Sequence, residues 1–121
     1  MIINGTERKF FLSVGASCAI ADLCPDGDLA NIGALFGGRM GDGMRTIAKI
    51  IVALNRGYED RVHPDAEKPN YVTVKELMSL SMDEFHQAEA EAFEAYFSGS
   101  KTQVELTDPK GSKKNEASAE S

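Results

Sequence analysis

The segment most suggestive of chemistry is the glycine-rich run of residues 37–46, GGRMGDGMRT. The backbone amides of such a run can bind phosphate where it leads into a helix, and Gly38 and Gly43 have the spacing of P-loop glycines. Met44, however, occupies the position of the P-loop lysine, and the preceding residues have a helical pattern instead of that of a strand. We therefore interpret the run as a flexible loop between two helices, with Asp42 capping the second helix.

The two cysteines and two histidines are the candidates for metal or redox chemistry. Cys18 and Cys24 lie six residues apart in an apolar stretch, which is typical of small buried side chains in a reducing compartment; the alternative is a single disulfide. The spacing of Cys18, Cys24, His63 and His86 fits no compact zinc-ligand pattern. The sequence therefore predicts free cysteines, no metal site and no cofactor.

Carboxylates are the remaining candidates for catalysis. Glu91 with Glu94, or Glu84 with His86, could form an acid/base set. All of them lie on a strongly acidic predicted helix, where a solvated face is the simpler interpretation. The sequence has no Ser-His-Asp or Cys-His arrangement that stands out. We therefore expect the protein not to be an enzyme.

Four aromatic residues follow helical spacing on the same predicted helix: Phe85, Phe93, Tyr96 and Phe97. One interpretation is ordinary core packing. The other is a partner-binding face, because an apolar surface rimmed by carboxylates suits the binding of another helix. The sequence alone leaves both interpretations open.

Composition narrows the classes of partner. The chain has 121 residues, of which 42% are hydrophobic, and this suits one domain with a single core. The net charge of −6 disfavours nucleic-acid binding, since the basic pairs Arg8-Lys9 and Lys113-Lys114 are too small to attract a phosphate backbone. No apolar stretch approaches the ~20 residues of a membrane span, so no membrane contact is expected.

The segment from Arg8 to Cys18 imitates a signal peptide, with two basic residues before an apolar run. Glu7 lies in the would-be basic region, and Gly15 occupies a position where a lipoprotein signal needs leucine or a similar residue. We therefore expect a cytoplasmic protein.

The elements that must position these residues are mostly helical. A small hairpin is predicted over residues 2–12, with its turn at Asn4-Gly5 and a second strand from Arg8 to Leu12. Two strands this short are marginal alone, so the hairpin must dock on the helices.

About five helices are predicted after the hairpin. They cover about 14–23 after the cap Ser13, 29–36 after Asp28, 42–58, 74–80, and 82–97. The last two begin with the capping boxes Thr73–Glu76 and Ser81–Glu84. Ser98-Gly99 is predicted to end the last helix, and Val104-Glu105-Leu106 to form a brief extended piece.

The fold class is therefore mainly α: an N-terminal hairpin and a compact bundle within one helical domain, residues 1–107. Residues 108–121 contain no large apolar side chain, so they are predicted to form a disordered tail.

A resemblance to a known family rests on three features. The opening IINGTE of residues 2–7, the segment DLCPDGDL of residues 22–29 and the acidic aromatic helix are similar to the tail assembly chaperones of long-tailed bacteriophages and prophages of Gram-positive hosts. These proteins are encoded between the tail tube and tape measure genes, and the resemblance covers roughly residues 1–100.

The resemblance implies a role in virion assembly without enzymatic chemistry. Such a chaperone binds the long, helical tape measure protein in many copies, keeps it soluble, and leaves as tail tube protein polymerises, which also makes a homo-oligomer an open option. A frameshift often adds an extension that recruits tube subunits, and Lys113-Lys114-Asn115 is compatible with slippery codons. The alternative function is another small helical phage-encoded adaptor or regulatory protein, such as a head–tail connector component or an antitoxin-like binder.

Overall fold

The computed structural model of the chain describes residues 1–36 and 40–107. Two strands, β1 (Ile2–Ile3) and β2 (Thr6–Glu7), form an antiparallel hairpin. Helix α1 (Val14–Leu23) follows, then two 3-10 helices, Pro25–Gly27 and Leu29–Phe36. Three more helices complete the described chain: α2 (Met40–Val62), α3 (Val74–Met78) and α4 (Met82–Thr107). The predicted fold class, mainly α with an N-terminal hairpin, is confirmed.

The hairpin turns where predicted but is shorter. Asn4 and Gly5 both have positive φ, 51° and 79°, as a tight two-residue turn requires. Ile3 is fully buried in the core, so the hairpin docks on the helices as expected. The prediction of a second strand from Arg8 to Leu12 is wrong, because β2 ends at Glu7. The amide of Phe11 instead donates to the carbonyl of Leu54 in α2, at 3.0 Å.

Residues 8–13, which we call the strap, link the hairpin to α1 and lie against other elements. Arg8 is only 3% exposed, and its guanidinium donates to the backbone carbonyl of Asn70 and, at 3.3 Å, to the side-chain oxygen of the same residue. Leu12 is buried as well. The backbone of Arg8 still bonds to Met1 across the hairpin, but Lys9 and Phe11 bond to Asn55 and Leu54 of α2, so the strap leaves the hairpin after Arg8.

Helix α1 has the predicted limits. The Ser13 hydroxyl accepts a bond from the Ala16 amide at 3.0 Å, and Ala16 and Ile20 face the core. The next predicted helix, residues 29–36, is a 3-10 helix instead of an α-helix. The Asp28 carboxylate accepts from the Ala30 amide at 2.9 Å, so the predicted cap is present.

Helix α2 is longer than predicted at both ends. It begins at Met40, so the predicted loop is wrong at residues 40 and 41, whereas the predicted helix from Asp42 onward is confirmed; residues 37–39 lie outside the described part of the chain. Asp42 is in the first turn instead of at the cap, where its charge complements the helix dipole and its carboxylate accepts from Arg45 at 3.3 Å. The helix is central, as expected, since it supplies six fully or nearly buried side chains: Ala48, Ile50, Ile51, Ala53, Leu54 and Asn55.

Both predicted capping boxes are present, at Thr73–Glu76 and Ser81–Glu84. The predicted end of α4 at Ser98-Gly99 is wrong, because the helix continues to Thr107 and includes the segment 104–106 that was expected to be extended. Gly99 instead allows close packing: a Cβ there would lie 2.7 Å from the Cβ of Leu12 in the strap. The predicted disordered tail, residues 108–121, lies outside the described residues.

Glu76 connects α3 to the hairpin and strap. Its carboxylate accepts from the Thr73 amide at 2.9 Å and from the Asn4 side chain at 3.2 Å, and it lies 3.9 Å from the Arg8 guanidinium. The Thr73 amide is the main cause of a lowered Glu76 pKa, with Asn4 and Arg8 acting in the same direction. The carboxylate form is therefore preferred in the folded state.

We expect Glu76→Gln to lower the free energy of unfolding at pH 7 by roughly 0.5–1 kcal/mol, because glutamine keeps the capping geometry and loses the charge. A lowered pKa stabilises the fold above the ordinary value of 4.5, and this stabilisation is lost as pH falls through the folded-state pKa. Thermal unfolding from pH 7 to pH 3 should therefore show the two proteins converging on acidification. Glu67→Gln, in the exposed loop, is the control and should match the wild type throughout; a Glu76→Gln deficit that stays constant with pH would contradict the assignment.

Candidate partner-binding surface

The structure separates the cysteines and histidines. Cys18 and Cys24 are free, as predicted. Cys24 is buried, and burial is the main cause of its raised pKa. Cys18 is exposed on α1, so its predicted burial is wrong. Within residues 1–36 and 40–107, no group of three or more His, Cys, Asp or Glu side chains could hold a metal ion.

The carboxylates considered for catalysis have local partners. Glu84 caps α4, where it accepts from the Ser81 amide at 3.0 Å. Glu91 pairs with the amino group of Met1 at 3.1 Å. His86 is exposed, as predicted, and lies 3.2 Å from Glu89, one turn along the same helix. The Glu84 contact caps the start of α4, the Glu91 contact attaches the hairpin to α4, and the His86 contact lies within α4.

The four aromatic residues of α4 divide between core and surface. Phe85 and Tyr96 are 3% and 7% exposed and pack with Ala88 and Ala92, which lie on the same side of the helix. Phe93 is partly buried against this core, whereas Phe97 is 64% exposed. The reason is the helical period, because residue 97 lies about 100° around the helix from residue 96. Core packing therefore accounts for Phe85 and Tyr96, whereas the partner-binding interpretation stays a prediction for the exposed Phe97.

Phe93, Tyr96 and Phe97 form a connected group that we call the aromatic face. The ring of Phe97 lies edge-on to Tyr96, with centroids 5.4 Å apart, and 6.1 Å from Phe93. Phe93 and Tyr96 are also edge-on, at 6.3 Å. These separations suit favourable aromatic contacts. Two partly or fully buried rings therefore hold one exposed ring in place, with the exposed Glu94 beside it on the helix.

Several other exposed apolar residues had not been identified from the sequence. Met78 and Met82 are 42% and 47% exposed and lie four residues apart across the junction of α3 and α4. Ile2 and Val14, at 66% and 78%, lie in the hairpin and at the start of α1. Among the exposed large hydrophobic side chains of the described residues, Phe97 is the one aromatic ring, and two neighbouring rings contact it. It is therefore the strongest candidate for an anchor in a protein interface.

A second surface feature, also missed from the sequence, is a groove of about 360 Å³ between α1 and α2. Small residues one turn apart, Gly15 and Ala19 on α1 and Ala53 and Gly57 on α2, were the pattern that would have indicated it. The residues that line it are Ser13, Gly15, Ala16, Ala19, Leu23, Lys49, Val52, Ala53, Arg56, Gly57 and Asp60. We call it the α1–α2 groove.

Comparison of the chain with models of known protein families, with curated proteins and with solved structures found no match. In the described residues, no helix has the length and apolar character needed to cross a membrane. The assignment of a function therefore depends on the surface features and on the sequence resemblance.

Proposed function

We propose that this protein is a tail assembly chaperone of a long-tailed bacteriophage. It binds the tape measure protein in the host cytoplasm, keeps that protein soluble and helps to recruit tail tube subunits. The observation that carries the proposal is the aromatic face, where Phe97 is 64% exposed and is held by the rings of Phe93 and Tyr96.

The aromatic face suits a helical client for two physical reasons. A large aromatic side chain held in one place loses little conformational entropy on binding, and such residues dominate the energy of protein interfaces. The exposed Glu94 beside Phe97 and the net charge of −6 keep the chain in solution although an aromatic ring is exposed. A client helix contributes the matching apolar stripe, as in helix-in-groove recognition.

The resemblance supplies the identity of the client. Residues 2–7 and 22–29 resemble tail assembly chaperones, and in this chain both segments lie in the folded part, at the hairpin and around the end of α1. The proposed role needs an apolar surface, solubilising charge and no chemistry. Glu84, Glu91 and His86 contact local partners and Glu94 is exposed, which is consistent with this role.

The proposal is tested by co-expression with the long helical protein encoded downstream. We expect that client to be soluble with the wild-type chain and largely insoluble with Phe97→Ala, because truncating a central aromatic anchor weakens binding by roughly 30-fold. Alanine favours the helix, so α4 should fold normally. Ile2→Ala is the matched control, since Ile2 is equally exposed at 66% and lies in the hairpin, outside the aromatic face.

Two results of the co-expression would contradict different parts of the proposal. Equal solubility with Phe97→Ala and wild type would remove the aromatic face from the proposal. A client that stays insoluble with the wild-type chain would contradict the chaperone role itself. The small helical adaptor or regulatory protein would then be the better hypothesis.

A further inference from the structure

The α1–α2 groove has the form of a site for one large apolar side chain. Its floor contains the buried Ala16 and Ala53, and Leu23 and Val52 form partly buried walls. Its volume of about 360 Å³ lies at the small end of the ~300–1,000 Å³ typical of binding pockets. The groove exists because small side chains on both helices leave this volume unfilled.

The groove is also locally basic on an acidic protein. Lys49 and Arg56 are exposed along its α2 edge, seven residues or two helical turns apart. The Arg56 guanidinium lies 4.8 Å from the centre of the Tyr71 ring, which restrains its position. Asp60 lies at the end of the groove, and its carboxylate accepts from the Tyr71 hydroxyl. An occupant with an aromatic side chain and a nearby carboxylate matches this surface.

The chain itself carries such an element. Phe97 is exposed on α4, and the exposed Glu94 precedes it by three residues, so both side chains project from neighbouring positions of one helix. Phe97 does not line the α1–α2 groove of its own molecule. A second copy of the chain would supply the complementary element, an exposed aromatic ring with a carboxylate three residues before it.

We propose that the aromatic face of one copy docks in the α1–α2 groove of a second copy. Phe97 occupies the apolar floor, and Glu94 lies beside Lys49 or Arg56. The contact joins two different surfaces, so a pair of copies keeps one free groove, on one copy, and one free aromatic face, on the other, for further copies. A single-helix contact is small, which makes the association weak and reversible.

The self-contact stands independently of any client, but its consequence rests on the proposed function. If the aromatic face binds the tape measure protein, then a second copy covers the same face while no client is present. Client and second copy then compete for Phe97. The exposed ring is thereby shielded in the free protein and released to the client.

Sedimentation velocity of the full chain over a range of concentrations tests the contact. We expect the average mass of the wild type to rise with concentration. Phe97→Ala removes the docked ring, and Ala19→Phe fills the groove from an exposed position of α1; each should weaken self-association by at least about tenfold. Ile2→Ala should associate like the wild type, and circular dichroism with thermal unfolding confirms that each variant is folded.

A charge exchange adds a test that does not depend on removing apolar surface. The double variant Lys49→Glu, Arg56→Glu should not associate with itself. A second variant that carries only Glu94→Lys should associate with the double variant when the two are mixed, because the charges on both sides of the contact are then exchanged. A wild type that stays monomeric up to about 1 mM, or association that is unchanged by Ala19→Phe, would overturn the proposal. Because Ala19→Phe leaves the aromatic face intact, it should still solubilise the client. Failure of the self-contact is therefore distinguishable from failure of the proposed function.

Discussion

Replacing Asn55 with leucine is expected to lower the free energy of unfolding by roughly 2–4 kcal/mol, although the two side chains have similar size. Asn55 is fully buried in the middle of α2. Its side-chain amide donates to the carbonyl of Lys9 at 3.0 Å, and its oxygen accepts from the amide of Val72 at 2.8 Å. Leucine leaves the buried Val72 amide and the partly buried Lys9 carbonyl without these partners, and an unpaired buried group costs roughly 1–3 kcal/mol.

Urea denaturation measures this change directly. Gln87→Leu, on the exposed surface of α4, is the matched control for adding a leucine in place of an amide and should stay within about 0.5 kcal/mol of the wild type. A loss below about 1 kcal/mol for Asn55→Leu would mean that water or a local rearrangement replaces the bridge.

The Asn55 bridge matters because it joins three segments that are distant in sequence. It fixes the strap at Lys9 and the start of the segment leading to α3 at Val72, both against α2. Three residues further along the strap, Leu12 packs against Gly99 of α4. The strap thus connects the centre of the fold to the helix that carries the aromatic face.

Gly57→Ala is expected to destabilise the fold by roughly 2–3 kcal/mol, even though alanine is the better helix former by about 1 kcal/mol. A Cβ at residue 57 would lie 2.4 Å from the carbonyl oxygen of Phe11, 2.8 Å from the Ser13 hydroxyl and 3.2 Å from the Ala16 Cβ. The nearest of these atoms belongs to backbone, so relief requires a shift of the strap away from α2.

Gly43→Ala, in the same helix, is the matched control because a Cβ there meets nothing within 4 Å. It should raise the free energy of unfolding by up to about 1 kcal/mol. Thermal unfolding of the two variants should therefore give shifts of opposite sign. Shifts of the same sign would show that helix propensity, and not the approach of the strap, determines the effect at residue 57.

Local patterns predicted the parts of the fold that depend on neighbours in sequence. Ser13, Thr73 and Ser81 cap helices at the expected positions because capping needs only residues within one turn. The strap and the end of α4 were predicted wrongly. The Phe11 amide bonds to the Leu54 carbonyl, and Gly99 packs against Leu12. Neither contact can be inferred from residues that are neighbours in sequence.

The candidate site shows the same division. The spacing of Phe85, Phe93, Tyr96 and Phe97 identified an aromatic helix, but not which ring stays exposed, since this depends on which side of α4 meets the core. The α1–α2 groove lies between helices whose lining residues are up to 47 positions apart, from Ser13 to Asp60. Such a surface follows from tertiary packing, and the spacing of small residues is the one weak sequence pattern that indicates it.

Photo-crosslinking from residue 97 tests directly whether the aromatic face binds the client. Phe97 is replaced by the photoreactive amino acid benzoylphenylalanine, which keeps an aromatic ring, and the full chain is co-expressed with the downstream long helical protein; Ile2 carries the same group in the control. We expect a crosslink to the client from residue 97 and little or none from residue 2. A client that forms a soluble complex with the chain but crosslinks from residue 2 and not from residue 97 would contradict this expectation.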